Sequence, residues 1–278
     1  MAVGGSDVHS LLTNGDFETG DLTGWTENNG GASTTTVTAV KGWDERTYGV
    51  VGVDDGAGAE INQTVTLTSA LAAATRCIGY VWAKLTSGKE ITLKIECLSA
   101  ADAVLATLTK TITSNNSFYG DGLWGYWSVY GNAPIDTKKL KFYVLSAAAQ
   151  TWYIDDSGML LGEQIAGAYN MQLTESHDVI DATTYKNATD NSGARTHILG
   201  MYSGEFSADT IWQGTEAYPE FGNETTVFAQ VFYEDGSVKD RGEFWAVMKT
   251  KTFTADKADA EKRAFVLLVT SRVGEIAG

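Results

Sequence analysis

The chain has 278 residues and a formal net charge of −15, and it contains only two prolines against 30 glycines. Its 43% hydrophobic content supplies enough material for two cores and excludes a disordered linker. The net negative charge argues against a protein that binds nucleic acid or an anionic membrane through general electrostatic attraction. The sequence shows no signal peptide and no apolar run of about 18 residues, so we expect synthesis in the cytoplasm and no membrane partner.

The first part of the chain has the pattern of a β-sandwich. Residues 1–10 are small and polar and predict a flexible N-terminal arm. From residue 11 to residue 161, short strand-like runs are separated by clusters of Gly, Asn, Asp and Ser. Alternation of apolar and polar residues is clearest in 61–67, 91–98 and 140–146. Short strands with regularly spaced turn residues predict a jelly roll over residues 11–161.

A second set of strand-like runs occupies residues 162–278. Residues 234–237 (EDGS) predict a turn, and Pro219 interrupts the one stretch that could hold a short helix. We therefore predict an all-β protein. Its N-terminal domain is a β-sandwich jelly roll, and its C-terminal domain is a β-barrel or sandwich with at most one short helix.

The two cysteines lie in two strand-like runs that the residues TSGK join. A hairpin centred near Ser87 would place Cys77 and Cys97 almost opposite each other. A cytoplasmic product would keep them as two buried thiols, whereas an oxidising compartment would permit a disulfide. The sequence leaves both alternatives open.

Catalytic motifs are absent from the sequence. It contains no Gly-x-Ser-x-Gly, no His-Glu-x-x-His and no phosphate-binding glycine loop. The three histidines are scattered: His9, His177 and His197. A glycosidase needs only two suitably spaced carboxylates, but the paired acids of this chain are adjacent and would point to opposite faces of a strand. We therefore expect a protein that is not an enzyme.

The opening segment is the most specific motif. Residues 11–26 read LLTNGDFETGDLTGWT, in which Asn14-Gly15 makes a turn, Phe17 points inward and a second turn delivers Trp25 to the core. This segment resembles the opening of the galactose-binding-like jelly rolls found in carbohydrate-binding modules of xylanases and cellulases. The resemblance continues through YVWAKLTSGKEITLKIECL, through YWSVYGNAP with a core Trp127, and through the closing strand WYIDDSGML.

The resemblance implies two kinds of site. Such modules often hold one structural calcium ion between the opening and closing strands, which points to Glu18 and Asp156, with Asp16 in reserve; the alternative is that these are exposed turn acids. Sugar binding would come from aromatic side chains that stack on the sugar rings. The alternative is that most of these aromatics are core residues or contacts to the second domain. The platform candidates are Trp43, Tyr48, Trp82, Tyr119, Trp124 and Tyr126.

The second part carries a different resemblance. The segment AGAYNMQLTESHDVIDATTYKNATDNSGARTHILGMYSGEFSADTIWQ, with Asp181-Ala182-Thr183-Thr184, resembles the core of long-tailed phage tail-tube proteins. Gly242–Val247 and the closing AFVLLVTSRVGEIA continue it. The resemblance implies a tail-tube-like domain that self-assembles into stacked, hexameric rings and contacts other virion tail proteins. DNA would pass through the lumen without specific binding, because an acidic wall repels phosphate.

The polar loop 185–196 is our candidate for the segment that bridges subunits or rings, because loops of this length are usually functional. Its residues of interest are Tyr185, Lys186, Asn187, Asp190 and Arg195.

These expectations combine into one hypothesis. The chain is predicted to be a virion structural protein assembled in the host cytoplasm, namely a tail-tube subunit whose outward jelly roll binds host surface polysaccharide. No cofactor beyond the calcium ion is expected. The alternatives are a phage capsid or neck decoration protein and a stand-alone carbohydrate-binding protein.

Overall fold

The computed structural model describes residues 2–3, 10–39, 48–86, 88–113, 124–164, 168–181, 197–211, 226–234, 239–254, 262–269 and 274–276. Within these ranges the chain is all β, as predicted, and contains no helix and hence none that could cross a membrane. The strands are β1 (Ala2–Val3), β2 (Thr26–Glu27), β3 (Thr34–Thr38), β4 (Gly49–Asp54), β5 (Ala59–Thr66), β6 (Thr75–Leu85), β7 (Glu90–Leu98), β8 (Val104–Thr113), β9 (Trp124–Ala133), β10 (Lys139–Ser146), β11 (Gln150–Gln164), β12 (Ala168–Asp181), β13 (His197–Ile211), β14 (Thr226–Glu234), β15 (Lys239–Thr254), β16 (Lys262–Val269) and β17 (Gly274–Ile276).

The first part of the chain forms a sandwich of two antiparallel sheets, which confirms the predicted jelly-roll class. Sheet I has the strand order β3-β4-β11-β6-β9. Sheet II has the order β2-β5-β10-β7-β8. The inward positions of both sheets are mostly apolar, so the inner faces of the two sheets enclose one core.

Aromatic residues fill much of that core. Phe17, Trp25 and Trp127, which the sequence assigns to the core, are all buried there. The ring centroids of Phe17 and Trp25 lie 5.4 Å apart, and those of Trp25 and Phe142 lie 6.4 Å apart. The indole Nε1 of Trp25 donates to the carbonyl of Asn14 at 3.1 Å, so burial of the ring leaves its polar atom satisfied.

The opening segment is held against the closing strand. The amide of Leu11 donates to the carbonyl of Met159, and the amide of Ser157 donates to the carbonyl of Gly15, each at 2.7 Å. A buried Gln63 side chain holds Thr13 by accepting from its amide at 2.7 Å and donating to its carbonyl at 2.9 Å. These bonds explain why a loop-rich segment can supply core residues.

The second part extends sheet I rather than forming a closed barrel. Its described strands follow the open order β12-β13-β16-β15-β14-β1-β11, and β17 pairs with β15. The long strand β11 belongs to both parts, because its last residues pair with β1 beyond the end of its ladder with β6. The sequence prediction of a barrel is thus wrong for the described strands, whereas the prediction of open, sandwich-type sheets agrees with them.

The N-terminal residues take part in this extension. Ala2 and Val3 form a strand between β14 and the end of β11, where we predicted only a flexible arm. The predicted helix near Pro219 and the bridging loop 185–196, including Tyr185, Lys186, Asn187, Asp190 and Arg195, lie outside the described residues.

The strands that carry the cysteines do not form a ladder with each other. β6 belongs to sheet I and β7 to sheet II, so the predicted hairpin is instead a connection between sheets. Cys77 and Cys97 both point into the core as free, fully buried thiols. Burial raises the pKa of Cys97 to about 11 and raises that of Cys77 further, since Cys97 adds to the effect of desolvation.

Candidate functional site

Outward-facing aromatic side chains are concentrated on sheet I. Inward neighbours such as Val81, Trp127 and Ile154 belong to the core, so the alternate positions of β6, β9 and β11 point away from it. We call this surface the aromatic face. Its rings are Tyr80, Trp82, Trp124, Tyr126, Tyr130 and Tyr153.

The second part of the chain covers one end of the aromatic face. Trp245 of β15 packs with Tyr126 and Tyr130 against a buried cluster of Ile78, Tyr80 and Leu160. This contact explains why β6 is buried on both of its faces. For Tyr126, the contact with Trp245 agrees with the alternative interpretation that the predicted platform residues contact a second domain.

Burial separates the predicted sugar platforms. Trp82 is only 4% exposed and meets the ring of Tyr126 edge-on at 5.7 Å, so as placed here it has no free face for a sugar. That assignment is therefore corrected. Tyr126 is half-buried in the same cluster, whereas Trp124 is half-buried at the opposite end of the face.

The remaining candidates are near the loops. Tyr48 is half-buried, and its ring would lie 3.4 Å from a Cβ added to Gly20. Gly20 has a φ of 78° in the opening segment, so the ring covers a turn that favours glycine. Trp43 and Tyr119 lie outside the described residues.

The outer face of sheet II is polar, with one tyrosine near its centre. Tyr143 of β10 lies between Asn62 of β5 and Lys94 of β7 in the ladder. Its hydroxyl donates to Glu96, which also accepts from Lys94 Nζ at 3.0 Å. The ammonium groups of Lys94 and Lys141 lie 3.7 Å and 4.7 Å from the ring centroid. We call this surface the polar face.

Electrostatic coupling sets the charge states of this group. Burial alone would raise the pKa of Glu96, but hydrogen bonds from Tyr143 and Lys94 outweigh it and lower that pKa. Burial and the nearby carboxylate of Glu96 raise the pKa of Tyr143. At neutral pH the polar face therefore presents an ionised carboxylate and a protonated phenol beside the side chains of Lys94 and Lys141.

Amides and two further carboxylates extend the polar face towards β2. Asn62 Nδ2 donates to Glu60 Oε1 at 3.0 Å, and Asn28 Nδ2 reaches the same oxygen at 3.4 Å. Asn29 Nδ2 donates to Glu27 Oε2 at 3.1 Å. Donors and acceptors thus alternate across the sheet in fixed positions.

The predicted calcium ligands lie in the opening segment (Asp16 and Glu18) and in β11 (Asp156). No three His, Cys, Asp or Glu side chains in the described ranges form a group that could hold a metal, so Asp16, Glu18 and Asp156 are not such a group. Glu18 Oε1 instead accepts from the backbone amide of Tyr48 at 3.0 Å. Asp156 stands at a bulge of β11 with a φ of 42°. The expected arrangement combines Glu18 and Asp156 with backbone carbonyls and needs no third carboxylate, so the calcium site stays a prediction from the sequence.

Sequence reasoning missed the polar face. The signal for Tyr143 is present in the run LKFYVLS, where alternation with buried Phe142 and Val144 requires that the tyrosine point outward. The partners of Tyr143 come from β5 and β7, and the sequence alone does not establish which strands lie beside β10.

Comparison with known proteins gives similarity at the level of solved structures. No protein-family model matches the sequence, and no curated protein matches it. Three similar structures are the enzymatically active domain of tailspike protein 4 of bacteriophage CBA120 (16% identity, 55% of this chain, 21% of that chain, TM-score 0.46), TmCBM61 in complex with β-1,4-galactotriose (21% identity, 55% of this chain, 99% of that chain, TM-score 0.41) and the N-terminal CBM22-1–CBM22-2 tandem domain of Paenibacillus barcinonensis Xyn10C (14% identity, 99% of this chain, 84% of that chain, TM-score 0.42).

These three structures belong to carbohydrate-binding modules and a tailspike. The chain spans about a fifth of the length of the tailspike chain, since 21% of that chain is covered. No tail-tube protein is among the three, and the tail-tube resemblance of residues 163–278 remains a prediction from the sequence.

Proposed function

We propose that the protein binds glycans through the polar face of its jelly roll. The observation that carries this proposal is the position of Tyr143, an aromatic ring near the centre of an ordered array of carboxylate, amide and ammonium groups. Sugar hydroxyls both donate and accept hydrogen bonds, so they need both kinds of partner at fixed spacing. Glu96 and Glu60 supply acceptors, and Lys94, Lys141 and Asn62 supply donors.

The tyrosine ring provides the apolar part of such a site. Tyr143 is 6% exposed because its lysine neighbours lie over it. Lysine side chains are long and flexible, so a pyranose ring can displace them and stack on the phenol while their ammonium groups hydrogen-bond to its hydroxyls. The balance of charges on this face favours a neutral sugar over a polyanion, which the net charge of −15 repels.

Titration calorimetry with a panel of soluble neutral polysaccharides tests this proposal. Asn62→Ala and Lys94→Met should each weaken binding about tenfold, the equivalent of one or two lost hydrogen bonds. Lys249→Met, which removes an exposed lysine of β15 that pairs with Glu205 as Lys94 pairs with Glu96, is the matched control and should bind like the wild type. Equal affinity of all three variants, or no binding to any polysaccharide by the wild type, would contradict the proposal.

A second candidate function is assembly, and a specific feature of the second part favours it. Strand β12 is 14 residues long and ends the large sheet, with β13 as its partner among the described strands. A long edge strand is suited to pair with a strand of a neighbouring molecule. We therefore propose that residues 163–278 drive self-association within a virion, as the tail-tube resemblance implies.

Mass photometry of the full chain tests assembly. The wild type should form rings or larger species, and Thr174→Pro in β12 should abolish them, because proline lacks a backbone N–H and is poorly accommodated in a strand that pairs with another strand. The side chain of Thr174 is exposed, so little packing is lost. A wild type that remains monomeric at high concentration would end this proposal while leaving glycan binding untouched.

A further inference from the structure

We propose that the jelly roll carries a second glycan-binding surface on the end of the aromatic face that Trp245 does not cover. A row of residues that lie opposite one another on five adjacent strands builds this platform. In order across sheet I, the row is Thr36, Val51, Tyr153, Lys84 and Trp124. The ligand of this platform is the surface of an insoluble neutral polysaccharide. The inference rests on the proposed function only in assuming that the protein binds neutral glycans.

The register of sheet I places the whole row on one face. Val50, Ile154 and Ala83 lie in the core beside Val51, Tyr153 and Lys84. Thr35 is buried beside Thr36, and Trp127 lies in the core three positions after Trp124, so all five members point outward. Neighbouring strands are about 4.8 Å apart, so Tyr153 and Trp124 are separated by two strand spacings, or about 10 Å. Two rings in a straight line across the strands can contact two rings of one extended sugar chain.

Exposure distinguishes this row from the rest of the aromatic face. Trp124, Tyr153 and Val51 are half-buried, Thr36 is exposed, and Val53 beside the row is 44% exposed. Towards the other end of the face, Tyr80 is buried in the cluster that includes Trp245, and Trp82 is buried against the ring of Tyr126. The uncovered rings therefore keep accessible surface, while those under Trp245 serve packing.

The chemistry of the row fits a neutral sugar. Aromatic rings stack on the apolar faces of pyranoses, and Lys84 between the two rings can donate to ring or hydroxyl oxygens. Its Nζ lies 5.6 Å from the centroid of Tyr153, which keeps the ammonium close to the platform. A row with a single cation does not match a polyanion, which the acidic protein also repels. An open sheet face that spans five strands suits side-by-side chains better than one soluble chain.

Co-sedimentation of the full-length protein with microcrystalline cellulose and with insoluble chitin tests the platform. The wild type should pellet with at least one of them. The double variant Trp124→Ala/Tyr153→Ala should bind at least tenfold more weakly, whereas Trp124→Phe/Tyr153→Phe should retain most binding because it keeps both rings. Tyr130→Ala is the matched control, since Tyr130 is a half-buried tyrosine on the same strand and face, about 20 Å from Trp124.

The outcomes separate this inference from the proposed function. Retained pelleting by the double alanine variant, or wild-type protein that binds soluble polysaccharide but neither insoluble one, overturns the platform and leaves the polar face standing. Pelleting lost in the double variant, with soluble binding unchanged, supports it. A change of oligomeric state in the double variant, without a change in pelleting, would instead make this row an interface between copies and overturn the proposal.

Discussion

The two sheets of the jelly roll have similar inner faces and different outer faces. On both sheets the inward positions are apolar and belong to one core. Outward, sheet II carries the cross-linked polar array around Tyr143, whereas sheet I carries aromatic rings, some of them covered by Trp245. The residues of the inner faces are constrained by packing against each other, whereas the residues of each outer face depend on what that face contacts outside the sandwich.

This difference teaches that an aromatic residue on a strand has three distinct uses in one domain. Trp127 fills the core, Tyr80 fills the contact with the second part, and Trp124 keeps accessible surface. The three positions lie on two neighbouring strands of a single sheet, β6 and β9. The role of each ring depends on whether it points into the core and on whether other residues cover it, rather than on its residue type.

The largest expected effect contrasts two tryptophans of β9. Trp127→Ala should lower the free energy of unfolding by about 3–5 kcal/mol, as for a large aromatic removed from a packed core. Trp124→Ala should cost less than about 1 kcal/mol, because the half-buried ring leaves no closed cavity. Denaturant titration of both variants measures the difference. Similar costs would show that inner and outer positions of β9 are misassigned.

A buried carboxylate at the end of the inner face gives the next largest effect. Asp54 accepts from the amides of Gly56 at 2.7 Å and Gly58 at 3.0 Å, from Ser33 Oγ at 3.3 Å and from Ser146 Oγ at 2.6 Å. Asp54→Ala should cost about 3 kcal/mol, because these donors lose a charged acceptor.

The same carboxylate predicts a dependence of stability on pH. Burial would raise the pKa of Asp54, but its hydrogen bonds outweigh burial and lower the pKa below the ordinary value of 3.8. Its contribution is therefore complete above pH 3.8 and is lost as the pH falls through the lower value of the folded state. Asp54→Asn should remove this acid-sensitive component, and Asp102→Asn, in an exposed ion pair with Lys139, should leave it unchanged. Equal acid sensitivity of wild type and Asp54→Asn would contradict the assignment.

The close approach of Gly158 in β11 to the Tyr80 ring of β6 predicts a third effect on stability. A Cβ on Gly158 would lie 2.2 Å from the Cζ of the buried Tyr80 ring. Gly158→Ala should therefore cost about 2–3 kcal/mol through overpacking. Gly88→Ala is the control: it has open space and a φ of 71°, so only about 1 kcal/mol of backbone strain is expected. Thermal unfolding distinguishes the two, and a Gly158→Ala cost no larger than that of the control would mean that the face is loosely packed.

The cover over the aromatic face can be removed by Trp245→Ala. Loss of roughly half the surface of a tryptophan should cost about 2 kcal/mol and expose Tyr126 and Tyr130. Nitration mapped by mass spectrometry should then rise at Tyr130 and stay constant at Tyr143, which lies on the other sheet. Unchanged nitration at Tyr130 would show that Trp245 does not cover this part of the sheet.

The strand pattern and the core could be predicted from the sequence, because period-2 alternation and the opening motif depend on local order along the chain. The candidate site could be predicted only in part. The sequence predicts Trp124 as a platform, but the burial of Tyr80 depends on a cluster with Trp245, more than 160 residues away in the chain. The burial of Trp82 likewise depends on the ring of Tyr126 on another strand. The polar face likewise depends on strand order, since Tyr143 finds Asn62 and Lys94 only after β5, β10 and β7 lie side by side.

The smallest effect concerns the polar face itself. Lys94→Met removes an ammonium that lies 3.7 Å from the Tyr143 ring and 3.0 Å from Glu96, on a face that water still reaches. Screened ion pairs and cation–π contacts of this kind contribute about 1 kcal/mol or less, and methionine keeps the apolar stem that covers the ring. Chemical denaturation should therefore show a loss below about 1 kcal/mol that shrinks further in high salt. A loss as large as that of Trp127→Ala would mean that the polar face is a structural element on a par with the core. A small loss, together with weakened glycan binding by the same variant, would separate recognition from stability at this lysine.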